Sequence, residues 1–105
     1  MEKNPIMTKR IAVIPGDGIG IDVTAEAVKV LEALSMSRAL PVELVTLDWG
    51  AEKYLREGIT LPQDALEMFQ REFHAVFIGA LGDPRVPDMK HVLDILLGTR
   101  FGLDL

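Results

Sequence analysis

Three closely spaced glycines follow the first apolar run of the chain, in the segment IAVIPGDGIG. A dinucleotide-binding turn needs the spacing G-x-G-x-x-G, in which the second glycine lets the backbone approach a pyrophosphate. The glycines from Gly16 to Gly20 are instead spaced G-x-G-x-G, and Ile21 stands where the last glycine of the fingerprint belongs. Asp17 adds a negative charge inside the loop, which opposes anion binding. The pattern favours a tight strand-to-helix turn in which Gly16 and Gly18 reverse the chain, with weak anion binding by the first helical amides as the alternative.

Two further sequence patterns of nucleotide-binding sites are not matched by this sequence. The acidic residue that holds a ribose lies ~20 residues after the glycines in such folds, and Asp48, the nearest acid at the end of a predicted strand, is considerably further away. No glycine is followed by the Lys-Ser or Lys-Thr pair of a Walker-type phosphate loop.

A cation ends an apolar stripe near the C-terminus. Val92, Leu96 and Arg100 are four residues apart, and Leu93 falls on the same side of a helix. A guanidinium in this place either extends to solvent at the helix C-terminus, where the dipole favours it, or waits for a carboxylate. The leucines themselves are most simply explained as core residues.

Four candidate ligand-binding residues lie at the carboxyl end of the third apolar run, AVFIGA, and in the loop after it: Gly79, Gly82, Asp83 and Pro84. If that run is a parallel strand, the loop lies at its carboxyl end, where open α/β sheets bind ligands. A simple Gly-Pro turn is the alternative. His74 and His91 have neither a cysteine nor a paired histidine nearby, so neither indicates a metal site.

The apolar patterns predict alternating strands and helices. Strands are expected at residues 11–14, 42–48 and 75–80. Four helices are expected: the first begins after Asp22 as its N-cap, the second covers residues 51–56, and the third begins near Pro62. The last opens at Asp88 and runs over Met89 to about Thr99. The first helix should bury Val23, Ala27, Val30, Leu31 and Leu34. This alternation predicts an open, mostly parallel α/β sheet with flanking helices.

Composition narrows the classes of partner. The 105 residues carry a formal net charge of −5 and contain no cysteine, which argues against nucleic acid or an anionic membrane and excludes disulfides. We expect a loose leader at residues 1–9, a single α/β domain at 10–105, a small-molecule ligand and a cytoplasmic location. Three parallel strands leave open sheet edges, so self-association into a homo-oligomer is expected.

Several motifs together resemble one enzyme family. IAVIPGDGIGIDV followed by AVKVLEAL, then GALGDPRVPD, then LLGTRFGLDL resemble, in this order, the opening of the isocitrate and isopropylmalate dehydrogenase family. The resemblance covers the chain from Arg10 on and implies that it is the first segment of a larger two-domain enzyme. Members of this family bind their dinucleotide without the usual glycine fingerprint, which agrees with the failed match above.

The resemblance implies roles for particular residues. Arg100 matches the first substrate arginine, and Leu96 lines the pocket for the variable group of the substrate. NAD, with its nicotinamide side along the third-strand loop, would contact Gly79, Gly82, Asp83, Pro84 and Leu93, with Ile19 near the adenine. Leu93 stands where isopropylmalate enzymes usually carry glutamate, and the spacing of GDPRVPD to the helix is similar to the malate and tartrate branch. The catalytic residues and the aspartates that bind Mg or Mn are expected outside this chain.

The implied activity is NAD- and metal-dependent oxidation and decarboxylation of a small 2-hydroxy dicarboxylic acid, of the 3-isopropylmalate type that serves leucine biosynthesis. The 105-residue chain alone is expected to be inactive. A malate or tartrate type of the same family is one alternative. A second alternative is a non-catalytic interaction or regulatory module. A third is a flavodoxin-like or phospho-acceptor domain, which needs clustered acidic residues at strand ends, where this sequence offers only Asp48 and Asp83.

Overall fold

A computed structural model describes residues 8–38 and 41–104 of the chain. Three parallel strands form its sheet: β1 (Lys9–Gly16), β2 (Val42–Thr46) and β3 (Ala75–Ala80), in the order β2-β1-β3. Ile11 of the central strand lies opposite Leu44 on one side and Ala75 on the other. The expected open parallel α/β architecture is confirmed. The expected leader covered residues 1–9. Its last residue, Lys9, begins β1, residue 8 precedes the strand, and residues 1–7 lie outside the described part.

The helices connect the strands as the alternation predicts. They are α1 (Ile19–Ser37), α2 (Ala51–Glu57) and α3 (Ala65–Glu72), followed by α4 (Lys90–Val92), a π-helical turn (Leu93–Leu97) and α5 (Gly98–Gly102). The last three run on without a break, since the junction residues Leu93 and Gly98 both have right-handed helical backbone. We call residues 90–102 the terminal helical segment. Gly98 therefore does not end the helix early.

The core lies on the face of the sheet opposite α1. Ala12 and Ile14 of β1 are fully buried there, together with Phe69 of α3 and Ile95 of the terminal helical segment. Trp49 completes this cluster, with its ring centre 5.4 Å from that of Phe69. Trp49 is thus a core aromatic.

Helix α1 covers the other face of the sheet with a side that only partly matches the predicted one. Gly20 and Thr24 are buried against the sheet. Ala27 and Leu31, expected in the core, are partly buried. Val23, Val30 and Leu34, also expected there, are about half exposed. The prediction was wrong for these last three residues because it ranked positions by the size of the apolar side chain. The closely packed row with glycine and threonine is the one that fits against the strands.

Several helix ends also differ from the prediction. The N-cap of α1 is Gly18, so Asp22 lies within the first turn instead of preceding it. Helix α3 begins at Ala65, after a turn in which the Ala65 amide donates to the Pro62 carbonyl. Asp88 accepts a hydrogen bond from the Lys90 amide at 3.2 Å. Left-handed backbone at Met89 delays the start of α4 to Lys90.

Candidate functional site

The glycine turn and the third-strand loop lie side by side at the carboxyl edge of the sheet. Gly16, the last residue of β1, pairs with Ala80, the last residue of β3. Since β2 lies on the other side of β1, the chain order reverses between β1 and β3. Open α/β sheets bind ligands at such a reversal. This edge is therefore the candidate site.

Close packing explains the glycines at this edge. A Cβ on Gly16 would collide with the carbonyl of Ala80, and φ at Gly16 is +93°. A Cβ on Gly79 would collide with the Pro15 carbonyl oxygen and with the Thr24 hydroxyl. The tight strand-to-helix turn predicted from the G-x-G-x-G spacing is confirmed, including the positive φ of Gly18.

A buried carboxylate occupies the reversal point. Asp17 is 7% exposed. Its Oδ1 accepts a hydrogen bond from the Ala51 amide at 2.7 Å, and its Oδ2 accepts one from the Gly82 amide at 2.8 Å. Backbone N–H groups from two other segments, the start of α2 and the loop after β3, thus point at this carboxylate. Its negative charge at the glycine turn opposes binding of a phosphate there.

His91 is the third partner of this carboxylate. Its Nε2 lies 2.7 Å from Asp17 Oδ2, and the side chain is fully buried. The ring of Tyr54 lies almost parallel to the imidazole, with the ring centres 6.4 Å apart. Sequence reasoning missed this pair, because its members lie 74 positions apart. A signal was present in the four-residue spacing of His91, Ile95 and Thr99, which form the buried side of the terminal helical segment.

The loop after β3 is held by its own ion pair. The side chain of Arg85, and to a lesser extent its amide, donate hydrogen bonds to Asp83, which lowers the pKa of Asp83 to about 2. The same guanidinium also pairs with Glu52 of α2. Gly82 and Pro84 are exposed. The loop therefore offers a fixed, solvent-facing surface at the candidate site.

The other predicted site residues, three on the terminal helical segment and one at the start of α1, are exposed. Leu93 and Leu96 are 52% and 42% exposed. Arg100 is exposed and makes no hydrogen bond or ion pair with any residue in ranges 8–38 and 41–104. Ile19, at the start of α1 beside the glycine turn, is 71% exposed. All four side chains are accessible to a ligand.

A shallow hollow lies beside the terminal helical segment, on the side of Leu93. Leu93, Leu97 and Phe101 line it together with Thr60 and other residues, and its volume is about 600 Å³. Leu96 and Arg100 do not line it. Of the three predicted ligand contacts on the helical segment, Leu93 therefore borders this hollow, and Leu96 and Arg100 do not.

Within the described ranges, no group of three His, Asp or Glu side chains is placed to hold a metal ion. The same part of the chain contains no helix long and apolar enough to cross a membrane.

Comparison with known proteins accounts for this arrangement. The sequence profile described as isocitrate/isopropylmalate dehydrogenase matches residues 10–105. The chain belongs to this family. It is 47% identical over 96 residues to the 3-isopropylmalate dehydrogenase of Corynebacterium kroppenstedtii, an alignment that covers 90% of this chain and 28% of the relative.

Relatives from a second branch of the family also match. A probable tartrate dehydrogenase/decarboxylase of Agrobacterium vitis is 45% identical over 80 residues, which cover 75% of this chain and 22% of the relative. The 3-isopropylmalate dehydrogenase of Bifidobacterium longum is 45% identical over 97 residues, or 92% of this chain and 28% of that protein. The chain spans about a quarter of the length of these relatives. Membership of the isocitrate/isopropylmalate dehydrogenase family confirms the resemblance seen in the sequence motifs, including relatives of the tartrate type.

Proposed function

We propose that this chain forms the N-terminal part of an NAD-dependent, oxidatively decarboxylating dehydrogenase whose substrate is a small 2-hydroxy dicarboxylic acid of the 3-isopropylmalate type. The observation that carries the proposal is the state of Arg100, whose guanidinium is exposed and has no partner in the described chain. A planar guanidinium with free N–H groups can hold a carboxylate by two parallel hydrogen bonds. The family supplies a substrate with such a group.

Leu96 supports an alkyl substituent on that substrate. It lies one helical turn before Arg100 and exposes 42% of its surface. Burying an aliphatic group against a leucine of this exposure contributes on the order of 1 kcal/mol. A substrate with a branched alkyl group uses this contact, whereas tartrate has no such group.

NAD fits the loop that follows β3. Gly82 offers open backbone, since a Cβ there would only touch the Met89 methyl at 4.0 Å. Asp83 keeps the loop in one conformation through its ion pair with Arg85. NAD, when bound, accepts a hydride from the carbon that carries the substrate hydroxyl. Gly79 does not join this contact in the proposal, because its lack of a side chain is explained by the packing of Pro15 and Thr24.

A divalent metal ion does not fit the residues of this part of the chain. No acidic cluster of the required size occurs in ranges 8–38 and 41–104, and hard cations such as Mg and Mn need several oxygen ligands. In the proposal, these ligands and the proton-transferring residues belong to polypeptide outside this chain. The 105-residue chain therefore binds ligand without turning it over.

The test is a titration of the 15N-labelled chain with 3-isopropylmalate, followed by NMR at the Arg100 side chain. We expect the Arg100 Nε–H signal to shift, and the variant R100Q to bind at least about tenfold more weakly, since hydrogen bonds to charged groups are worth roughly 1.5–3 kcal/mol. R100K keeps the positive charge and loses the two parallel hydrogen bonds of the guanidinium, so its affinity for 3-isopropylmalate should lie between those of R100Q and the parent chain. R71Q, which alters another exposed arginine, on α3, serves as the matched control. Equal affinities for R100Q and the parent chain would overturn the proposal.

A tartrate- or malate-type substrate is the second candidate. It is favoured by the relative named as a probable tartrate dehydrogenase/decarboxylase and by Leu93, which stands where glutamate is usual in isopropylmalate enzymes. L96A separates the two, since it should weaken binding of 3-isopropylmalate about fivefold and leave tartrate binding unchanged. Tighter binding of tartrate than of 3-isopropylmalate by the parent chain would favour this second candidate. NADH formation with Mg or Mn and any of these acids should be absent, and turnover would contradict the predicted inactivity.

A further inference from the structure

One carboxylate joins three separate segments of the chain at the candidate site. Asp17 binds the start of α2 through the Ala51 amide, the third-strand loop through the Gly82 amide, and the terminal helical segment through His91. Its side chain is 4% exposed. The loop and the helical segment share this single acceptor oxygen, Oδ2.

The chemistry of the three contacts fixes what each group does. Both amides are donors, so the Asp17 oxygens act as acceptors throughout. The His91 ring nitrogen that faces Oδ2 is then also a donor, which selects the tautomer with its hydrogen on Nε2. Nδ1 is buried and has no partner within the described residues. In this tautomer Nδ1 carries a lone pair and no hydrogen. Burying that lone pair without a partner costs less free energy than burying an unpaired N–H, which agrees with the assignment.

His91 sets the orientation of the helical segment behind it. His91, Ile95 and Thr99 form its buried side, and Leu96 and Arg100 each follow one of these buried residues in sequence. A rotation of the segment about its axis would move both outward-facing side chains relative to Gly82. The Asp17 contact opposes that rotation at one end of the segment.

We propose that Asp17 is a positioning residue that holds the cofactor loop at Gly82 and the substrate-binding helical segment at His91 in one fixed relation. The inference rests on the proposed function, because it assigns NAD to the loop and the substrate to Arg100. Asp17 itself touches neither ligand. It transmits a change in the loop to the helical segment through a single oxygen.

The variant D17N tests the geometric part. The Asn oxygen can replace Oδ1 and keep the Ala51 contact, whereas its NH2 group faces two donors in the place of Oδ2. The imidazole can change tautomer and accept, but the Gly82 amide cannot. We expect the Gly82 amide to exchange with solvent about tenfold faster or more, with Ala51 unchanged. The 15N signals of His91 should report a hydrogen moved from Nε2 to Nδ1. Uniformly faster exchange at all amides, with the tautomer unchanged, would mean that Asp17 is only a stabilising residue.

An NAD titration tests the transmission. In the parent chain, NAD should shift the amide signals of Gly82 and also those of His91 and Ile95. In D17N, the loop should still respond and the helical segment should not. No response at Gly82 in the parent chain would refute the proposed cofactor site, whereas equal responses of Ile95 in both proteins would refute the positioning role.

H91L provides a second route if D17N does not fold. It leaves the Ala51 and Gly82 contacts of Asp17 in place and removes the Nε2–H donor, which a glutamine amide would replace. We expect Gly82 to remain protected and to respond to NAD, with no response at Ile95. A response of Ile95 equal to that of the parent chain would overturn the inference.

Discussion

Replacing Gly79 by alanine separates two reasons for a glycine in β3, one residue before its end and not in the loop after it. The resemblance to dehydrogenases assigns Gly79 to the cofactor, whereas the structure shows that a Cβ there would collide with the Pro15 carbonyl oxygen and the Thr24 hydroxyl. Both atoms belong to the tightly packed contact between the glycine turn, α1 and β3. The packing explanation predicts a less stable fold. The cofactor explanation predicts a normally stable fold that binds NAD poorly.

The size of the effect follows from what must move. An added methyl in a closely packed core costs ~1–3 kcal/mol, and the Pro15 oxygen is backbone, which cannot rotate away. We therefore expect the free energy of unfolding to fall by about 2–3 kcal/mol in G79A. This is a large part of the ~5–15 kcal/mol typical of a domain. It corresponds to a decrease in Tm of about 10–20 °C for a chain of this size.

Urea unfolding of the parent chain, G79A, T24A and the double variant measures the effect and its cause, with G18A in the parent and T24A backgrounds as controls. T24A removes one of the two colliding atoms, so G79A should cost about 1 kcal/mol less in a T24A background than in the parent chain. G18A is the matched control: the same change in the neighbouring glycine turn, where an added Cβ has no neighbour within 4 Å and φ of +49° alone causes strain. Its cost should not depend on Thr24. A G79A protein within ~0.5 kcal/mol of the parent chain would refute the packing explanation.

Three further predictions concern the core, the loop and the outer face of α1. F69A should lower the free energy of unfolding by about 3–4 kcal/mol, because Phe69 is 2% exposed, and should shift Trp49 fluorescence to the red. R85Q should raise the pKa of Asp83 from about 2 towards its ordinary value, because the side-chain hydrogen bonds from Arg85 are the main cause of the lowering. A carboxyl group with a lowered pKa stabilises the folded state, and this stability is lost as the pH falls towards that pKa. Acid unfolding of R85Q, below pH ~4, should therefore begin at higher pH than in the parent chain. Carboxyl 13C titration measures the pKa of Asp83, and acid unfolding measures the change in stability. V30E should change the urea midpoint by no more than the equivalent of ~0.5 kcal/mol, because Val30 is 58% exposed, and a large loss of stability would contradict the observed face of α1.

The order and type of the elements could be predicted from the sequence because local pattern determines them. The β-branched run at residues 75–80 has the same bounds in the structure as in the prediction. Gly58 ends α2 with left-handed backbone at φ +73°, as a glycine after a helical pattern indicates. These features depend on residues next to each other in the chain.

The buried face of α1 could not be predicted by hydrophobic size alone. Val23, Val30 and Leu34 make the more apolar row, yet Gly20 and Thr24 face the sheet. Side-chain volume decides the outcome here, since a Cβ at position 20 would collide with carbonyl oxygens of Pro15 and Ala80. How closely the helix approaches the sheet is a property of the assembled fold, and hydrophobic periodicity contains no such distance.

The buried pair of Asp17 and His91 shows the same limit at the candidate site. Between glycines, Asp17 is expected to be an exposed turn residue whose charge repels anions. In the structure it is buried because three donors from distant segments converge on it. A carboxylate can be buried at acceptable cost only when hydrogen-bonded in this way. Asp17 therefore serves the fold, because it holds the start of α2, the loop after β3 and the terminal helical segment together. Gly82 and Arg100, on the outer surface of that loop and of the helical segment, stay exposed and accessible to a ligand.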